Sequence, residues 1–392
     1  MKILVVTEQY VVDDINGKYY SNNIVDIHIN RLRMLGDITL CAQISHEQTS
    51  KREIDLPDVR LFSITKENTV YRRYINRRAN RKTIESEVRN ADFVVLFVPS
   101  SVADMAAEYV KKYNKKYLTI VIACPWDALW NYSLKGKMIA PIRYLETKRT
   151  VWNASYSIYV TSAFLQDRYP CLGKTIGISD VALPTIDESE VLPLRMERIK
   201  RTFDGGAINL VTAAAVNVRY KRQEDVIRAI AELKDEYDLH YYLIGGGDQT
   251  YLKNIAQTTG IENRIHFLGQ VRHEDIFQIL DRMDICMQPS VQEGLPRAVV
   301  EAMSRGLPAL GAKTGGIPEL LDPKCVCRRK SVSDIVSHLR WLLNEDEMMR
   351  QSERNYHEAK KYESEVLEKR RKVFLEQVKQ ELKASNLYVA DK

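Results

Sequence analysis

The chain has 392 residues, of which 45% are hydrophobic and 28% charged, and its formal net charge at pH 7 is +6. This composition is typical of a globular protein with room for two domains, each with its own core. Only four apolar residues, Ile3–Val6, precede polar ones at the N-terminus, and no apolar run approaches the roughly 18 residues that cross a bilayer. The sequence therefore predicts a first strand instead of a signal peptide, and no membrane span.

Six cysteines, at positions 41, 124, 171, 286, 325 and 327, show no spacing typical of a metal site. Cys325 and Cys327 are one residue apart, so on a strand they would face opposite sides. We therefore expect packed, reduced thiols, as in a cytoplasmic protein.

Short β-type runs alternate with helical stretches along the chain, which is typical of the α/β class with parallel sheets covered by helices. The predicted strands are Ile3–Thr7, Ile38–Ala42, Val59–Ile64, Phe93–Val98, Leu118–Ala123 and Ser157–Thr161 in the first half, and Ile208–Thr212, Leu239–Ile244, Ile265–Leu268, Ile285–Gln288 and Pro308–Gly311 in the second. Each set is large enough for one doubly wound domain.

The segment between the two sets, residues 184–206, is polar, is interrupted by Pro and Gly, and lacks the alternation of a strand. We therefore predict a linker there, between a first domain over residues 1–183 and a second over 207–352. The remaining residues, 353–392, are charged and predict a C-terminal helix.

Two carboxylates, Glu293 and Glu301, lie eight positions apart just after a short apolar run, Asp284–Pro289. That run is typical of a buried parallel strand, and Pro296 suits the first position of a following helix that ends near Gly306. Glu293 would then lie at the carboxyl end of a strand, where open α/β sheets bind ligands.

Glu301 has an alternative interpretation. It lies four residues from both Arg297 and Arg305, a spacing that on a helix indicates exposed ion pairs. From spacing alone, the ion pair and the binding role both stay open.

A lysine and three glycines form a second group of candidates. Lys221 lies in a loop between a predicted strand and a helix, where a cation beside helix N-terminal amides suits a diphosphate. Gly245, Gly246 and Gly247 follow another predicted strand, where glycine permits close approach of the backbone to a phosphate. Alone, the glycine signal is weak, because many strand-to-helix turns contain glycine.

The stretch from Glu293 through Glu301 to Ala-Met, continued by Gly315-Gly316, resembles the donor-site signature of retaining GT-B-fold glycosyltransferases, the family 4 or group 1 type. The segment after Lys221 is similar to the phosphate-lysine segment of the same family, and the resemblance extends over Ile208–Leu321. It implies two Rossmann-like doubly wound domains facing across a cleft. The first would bind the acceptor and the second the nucleotide-sugar donor, with the C-terminal helix packing back on the first domain.

The resemblance also implies roles for individual residues. Lys221 and Glu293 would be catalytic, Lys221 at the diphosphate and Glu293 at the donor sugar, while Glu301 would bind the ribose diol. The remaining donor-binding positions are Gly245, Gly246 and Gly247 and the backbone of Gly294, Leu295, Pro296 and Arg297 for the phosphates, and the backbone near Val271 and Arg272 for the nucleobase. The family often has an Arg five residues before the lysine, but here Val216 occupies that position, so Arg219 or Arg222 is expected to substitute.

Candidate acceptor residues follow the strand Leu118–Ala123. Trp126 and Trp130 could stack on sugar rings beside Asp127, which we expect to take the catalytic place of a histidine that many relatives carry near this point. Packing of the tryptophans in the core stays open as an alternative. The glycine-rich turn of relatives is reduced here to the surroundings of Gly17.

A basic block in the first half contains six cations between Tyr71 and Lys82. It predicts contact with an anionic membrane or a lipid diphosphate, and a second basic stretch, Lys135–Arg149, lies in the same domain. A solvated basic helix is the alternative, and no nucleic-acid-binding motif accompanies the block. Four of the six cations form the predicted membrane or acceptor patch: Arg72, Arg73, Arg77 and Arg78.

Together these features predict a retaining glycosyltransferase of the cytoplasm or the cytoplasmic membrane face. It would move a sugar from a UDP- or GDP-sugar to a lipid-linked or cell-surface glycan precursor. The chain contains no Asp-x-Asp, so we expect no metal and no other cofactor. A non-catalytic nucleotide-sugar sensor or scaffold and a nucleotide-sugar epimerase of the same fold stay open as alternatives.

Overall fold

In a computed structural model of the chain, the structure describes residues 1–13, 18–21, 25–45, 52–64 and 70–390, without the side chains of residues 45, 70–79 and 385–390. The strands are β1 (Lys2–Asp13), β2 (Tyr19–Tyr20), β3 (Asp37–Ser45), β4 (Glu53–Ile54), β5 (Arg60–Ser63), β6 (Phe93–Val98), β7 (Tyr117–Val121), β8 (Tyr156–Tyr159), β9 (Lys174–Gly177), β10 (Ile208–Ala213), β11 (Leu239–Ile244), β12 (Ile265–Gly269), β13 (Ile285–Gln288), β14 (Ala309–Ala312) and β15 (Val326–Cys327).

Helices alternate with these strands through most of the chain. The α-helices are α1 (Val25–Leu32), α2 (Val70–Asn90), α3 (Ser101–Lys112), α4 (Pro125–Trp130), α5 (Leu134–Trp152), α6 (Phe164–Arg168), α7 (Glu188–Phe203), α8 (Gln223–Leu233), α9 (Thr250–Thr258), α10 (Ile276–Leu280), α11 (Arg297–Ser304), α12 (Ile317–Leu320), α13 (Val332–Leu342), α14 (Glu345–Ala359) and α15 (Ser364–Ala390). No helix in the described ranges is long and apolar enough to span a membrane.

The first compact unit comprises Met1–Pro125, Pro141–Ile178 and Lys369–Lys392. Its sheet follows the order β4-β2-β1-β6-β7-β8-β9, with β3 and β5 continuing from β1. The central strands are apolar on both faces, and every residue of β6 is buried, as parallel strands covered by helices require. Only the short pairings of β2 with β1 and with β4 are antiparallel among the described strands.

The second compact unit comprises Trp126–Ala140 and Ser179–Glu368. Its six parallel strands follow the order β12-β11-β10-β13-β14-β15. Leu210 of β10 pairs with Tyr241 of β11 on one side and with Ile285 of β13 on the other, so the strand order reverses at β10. The loops that follow β10 and β13 therefore leave the sheet at its switch point, the place where doubly wound sheets bind ligands.

All eleven predicted strands are present, most within one or two residues of the predicted bounds. Four strands of two to four residues, β2, β4, β9 and β15, were not predicted, because segments that short show no hydrophobic period.

The segment predicted as a linker contains α7, a helix of 16 residues that belongs to the second unit. The charged residues of this segment favoured a solvated linker, but Arg195 is buried and only 3% exposed. The Arg195 guanidinium donates to the carbonyl oxygens of Leu280, Met283 and Arg305. A charged residue thus ties α7 to the rest of the second unit by satisfying three backbone acceptors.

The charged C-terminal helix α15 is divided between the units at Lys369. Within the first unit, Glu381 accepts hydrogen bonds from Tyr156 Oη at 3.0 Å and from Lys174 Nζ at 2.6 Å. The end of α15 therefore packs on strands β8 and β9 of that unit.

Candidate functional site

The carboxyl edge of the six-stranded sheet brings the loops after β10 and β13 together. Lys221 ends a short 3₁₀ turn, Arg219–Lys221, which precedes α8. The backbone N–H of Val291, after β13, donates to the carbonyl oxygen of Tyr220 at 2.9 Å. This hydrogen bond fixes the lysine loop beside the loop that carries Glu293.

Glu293 accepts two hydrogen bonds on one carboxylate oxygen. Lys221 Nζ and Gln288 Nε2 each lie 2.7 Å from Glu293 Oε1. The side chains of Lys221 and Glu293 are only 18% and 11% exposed. The ion pair is therefore held by an amide in a place with little solvent, where charge–charge interactions are stronger than at the surface.

Sequence reasoning did not identify Gln288, although a signal for it exists. Gln288 is the last residue of β13, whose four residues are all buried, and it is 2% exposed. A polar side chain that ends an otherwise apolar buried strand needs a hydrogen-bond partner, and here the partners are Glu293 and Ser290.

A tight turn after β14 packs against the loop that carries Glu293. The N–H of Gly316 donates to the carbonyl oxygen of Gly294 at 2.6 Å. Gly315 has a φ of +54°, and a Cβ built on it would lie 2.3 Å from the carbonyl oxygen of Glu293. A glycine is thus required at position 315 by backbone-to-backbone packing against the loop that carries the carboxylate.

The glycine turn after β11 lies beside the β10 loop. Gly245 has a φ of +154°, and its Cβ would meet the Ala214 carbonyl oxygen at 2.2 Å. Gly247 has a φ of +120°, and its Cβ would lie 2.5 Å from Asn217 Oδ1. Added atoms at Gly246 would have ordinary contacts, the nearest at 3.7 Å. Two of the three predicted glycines are therefore sterically required.

The two arginines proposed to replace the cation missing at Val216 have different surroundings. Arg222 adopts a left-handed backbone with φ +56°, and its guanidinium pairs with Asp225 at 2.8 Å and with Glu224 at 3.0 Å. Arg219 is exposed and lies over the Tyr251 ring, 2.9 Å from the centroid. Arg222 is thus engaged by two acids of α8, whereas Arg219 faces solvent.

Glu301 lies in the middle of α11 and is 8% exposed. Its Oε1 is 3.0 Å from Nε2 of His273, which lies after β12. Arg305 instead pairs with Asp281 at 2.6 Å. The contact with His273 was not predicted, because the two residues are 28 positions apart and no sequence pattern relates them.

The helix α11 begins at Arg297, with Pro296 as its N-cap. Pro296 was predicted as the first helical residue, but its ψ of 106° is extended. Gly306 follows the helix end with a left-handed φ of +65°, as a C-terminal glycine should. Gly294 and Leu295 precede Pro296 in a bend that is partly buried.

The predicted nucleobase positions lie between β12 and α10. Val271 is partly buried, and Arg272 is exposed and pairs with Asp275 at 2.8 Å and with Glu274 at 2.5 Å. The Arg272 side chain is thus held by neighbours on its own loop.

The predicted acceptor residues lie on α4. Trp126 and Trp130 stack with ring centroids 5.1 Å apart, and Trp130 is 41% exposed, whereas Asp127 is buried. In the same unit, Asn131 donates to the carbonyl oxygen of Val291 at 3.2 Å. The end of α4 is thus one hydrogen bond from the loop that carries Glu293.

Two other groups of predicted residues lie wholly or partly outside the described part of the structure. Gly17 lies outside the described residues. Arg72, Arg73, Arg77 and Arg78 lie in α2, whose side chains at these positions are also outside the described part. Where side chains are described, no cluster of three or more His, Cys, Asp or Glu is placed to hold a metal ion.

Residues 200–360 match the family model of glycosyl transferases group 1. The matched range includes Lys221, the glycine turn after β11, Glu293 and Glu301. This part of the chain is therefore similar to the glycosyl transferases group 1 family.

Two curated relatives align with part of the chain. Protein CapJ of Staphylococcus aureus is 32% identical over 251 residues, which are 62% of this chain and 61% of CapJ. N-acetyl-α-D-glucosaminyl L-malate synthase of Bacillus anthracis is 26% identical over 170 residues, 42% of this chain and 44% of that enzyme. The chain thus matches less than two thirds of the length of these relatives.

Solved structures match nearly the whole chain. Sucrose-phosphate synthase from Thermosynechococcus elongatus has a TM-score of 0.70 at 14% identity and covers 98% of this chain and 100% of its own. HepE from Anabaena, in complex with UDP, has a TM-score of 0.64 at 15% identity and covers 96% and 100%. The fold is therefore the GT-B fold with two Rossmann-like domains, as predicted.

Proposed function

We propose that this protein is a retaining glycosyltransferase that uses a nucleotide-diphosphate sugar as donor. One observation carries the proposal: the ion pair of Lys221 with Glu293, at 2.7 Å, lies where the strand order of the second sheet reverses. A cation and a carboxylate held together at a switch point suit a ligand that has both phosphates and sugar hydroxyls.

The chemistry requires stabilisation of negative charge. Breaking the bond between the anomeric carbon and the diphosphate moves an electron pair onto a phosphate oxygen and leaves positive charge on the sugar ring. A lysine ammonium has three N–H donors, so Lys221 can contact Glu293 with one and a phosphate with the others. Because its position is fixed before the substrate arrives, little reorganisation is needed in the transition state.

Glu293 would hold the donor sugar. Both of its hydrogen bonds within the described residues fall on Oε1. Its second oxygen can then accept hydroxyl hydrogen bonds from the sugar, while the negative charge lies near the positive charge that develops at the anomeric carbon.

Glu301 would bind the ribose diol through its carboxylate, with His273 orienting it at 3.0 Å. The backbone near Val271 and Arg272 would read the nucleobase, and Arg219 is the better candidate for a second phosphate cation because Arg222 is paired with acids. We propose that no metal takes part, since the cation at the diphosphate is supplied by the protein.

We further propose a glycan precursor of a cell-surface polysaccharide as the acceptor, with Trp126, Trp130 and Asp127 on the acceptor side. One relative, the amylovoran biosynthesis glycosyltransferase AmsK of Erwinia amylovora, supports a polysaccharide pathway by its name. That relative is 36% identical over 89 residues, 21% of this chain.

The test is a donor screen with radiolabelled UDP- and GDP-sugars and a lipid extract of bacterial membranes as acceptor. We expect label to pass into the lipid fraction from one donor class, with release of the matching nucleoside diphosphate. NMR of the product should show the anomeric configuration of the donor. Donor binding without turnover would support the sensor, and a changed sugar still attached to the nucleotide would support the epimerase.

A further inference from the structure

Helix α5 exposes a stripe of large apolar side chains to solvent. Its members are Leu134, Met138, Ile142 and Leu145, which are 79%, 79%, 58% and 62% exposed. At 3.6 residues per turn they fall within an arc of about 80° along one side of the helix. Contiguous exposed apolar side chains of this kind often mark a surface that binds a membrane or another molecule.

The buried side of α5 consists mainly of small and polar residues. An ordinary amphipathic helix instead buries its large apolar residues. Gly136, Ala140, Thr147, Thr150 and Val151 are the buried positions. Their small volume draws the helix close to its neighbours and leaves the large residues outside.

Each part of α5 has a specific contact within its own unit. Within the second unit, a Cβ on Gly136 would lie 2.2 Å from the carbonyl oxygen of Leu129, so no side chain fits between them. Within the first unit, Asp104 of α3 accepts a hydrogen bond from Thr150 at 2.6 Å and pairs with Arg143 at 3.0 Å. The helix therefore cannot roll to bury its apolar stripe without breaking these contacts.

Cations border the stripe. Lys135, Lys137, Lys148 and Arg149 lie on or beside it, and the single acid in the α5 sequence, Glu146, pairs with Arg143 at 2.5 Å. Trp152, 42% exposed, lies on the same arc as Leu134, and Tyr132, 82% exposed, precedes the helix. Aromatic side chains at the ends and lysines along the sides are typical of helices that lie in a membrane interface.

We propose that α5 is a membrane-docking helix that lies in the surface of an anionic bilayer. Its apolar stripe would enter the boundary between head groups and acyl chains, while the flanking cations contact lipid phosphates. A second copy of the chain is a poorer occupant, because it would bring two rows of cations together on the same face. The proposal does not depend on sugar transfer and would hold for a sensor as well.

The test compares the wild-type chain with a variant that carries Leu134→Gln, Met138→Gln, Ile142→Gln and Leu145→Gln. Vesicles are made of phosphatidylcholine alone or mixed with phosphatidylglycerol, and binding is measured by co-sedimentation. We expect the wild type to bind the anionic vesicles, and the variant to bind at least about tenfold more weakly because four apolar contacts are lost. A matched control carries Leu172→Gln, Leu194→Gln and Val373→Gln, which replace residues that are 70%, 64% and 50% exposed elsewhere, and it should bind as the wild type does.

Two further readouts distinguish the occupant. Brominated lipids should quench the fluorescence of Trp152, and the quenching should decrease in Trp152→Phe. The variant leaves the cations of α2 unchanged. Equal vesicle binding by the wild type and the four-residue variant would therefore show that the apolar stripe is not needed, and it would overturn the proposal. A dimer in solution that dissociates in the variant, with no vesicle binding by either, would overturn it in favour of self-association.

Discussion

At the carboxyl edge of the six-stranded sheet, charged and amide side chains are packed where little solvent reaches them. Along α5, leucine, methionine and isoleucine side chains stand in solvent instead. Lys221 and Gln288 are held against Glu293 by hydrogen bonds of 2.7 Å, whereas Leu134 and Met138 are each 79% exposed. Both arrangements differ from the usual one, in which charged residues are exposed and large apolar residues are buried.

The difference indicates the size of what each region binds. Buried polar groups that converge on one carboxylate can discriminate a small ligand by hydrogen bonds, because an unsatisfied buried group is costly. An exposed apolar stripe about 17 Å long, at 1.5 Å per residue, has no such selectivity and suits an extended surface. We therefore propose that one region of the chain provides ligand specificity and the other determines its location.

The largest effect should follow from removing the ion pair at the sheet edge. Lys221→Ala and Glu293→Ala should each lower kcat by at least about 100-fold, because each removes a group that we propose contacts the reacting donor. Circular dichroism should show a Tm close to that of the wild type. The control is Lys234→Ala, an exposed lysine of the same unit. Wild-type kcat in either site variant would contradict the site assignment.

The supporting turn offers a sharper test of rigidity at the same edge. Gly315→Ala should destabilise the protein by about 2 to 4 kcal/mol, because the positive φ and the clash with the Glu293 carbonyl oxygen must both be relieved. Gly246→Ala is the matched control, with its nearest contact at 3.7 Å. Urea unfolding measures both free energies. Equal stability of the two variants would show that the turn yields more easily than its packing indicates.

The anchor of α5 gives a pH dependence. Burial raises the pKa of Asp104 to about 6, against the lowering charge of Arg143, from an ordinary value of 3.8. Since the folded state binds this proton more tightly than the unfolded state, the carboxyl stabilises the fold most below pH 4, and the contribution is lost as pH rises to 6. We expect the wild type to lose about 2 kcal/mol relative to Asp104→Asn over that interval. Parallel pH profiles of the two proteins would contradict this.

The smallest effect concerns the residue that orients Glu301. His273→Ala should raise KM for the donor by about three- to tenfold with little change in kcat, the size of one ordinary hydrogen bond that acts in binding. His273→Gln, which can still donate, should recover most of the affinity. Phe277, the edge-on ring neighbour of His273, provides the control variant Phe277→Leu. A fall in kcat alone would show that His273 acts on the reaction instead.

Sequence reasoning predicted more of the second unit than of the first. Short apolar runs predicted the strands β10 to β14. Short motifs predicted the positions of Lys221 and Glu293, because each motif reflects the local backbone conformation that its residues need. Gln288 and His273 were missed because their partners are set by packing between different loops. The exposed face of α5 was missed for a related reason: its sequence is apolar on one side, and only the structure tells which side faces inward.

The register between β10 and β13 has a kinetic consequence. Leu210 pairs with Ile285, and this pairing joins two segments that are far apart in the chain, with β11 and β12 between them. Such non-local parallel pairing is slow, since the intervening chain must be ordered before the contact forms. Lys221 and Glu293 follow these two strands, so the ion pair exists only after they dock. During refolding, donor binding should therefore return later than helical circular dichroism.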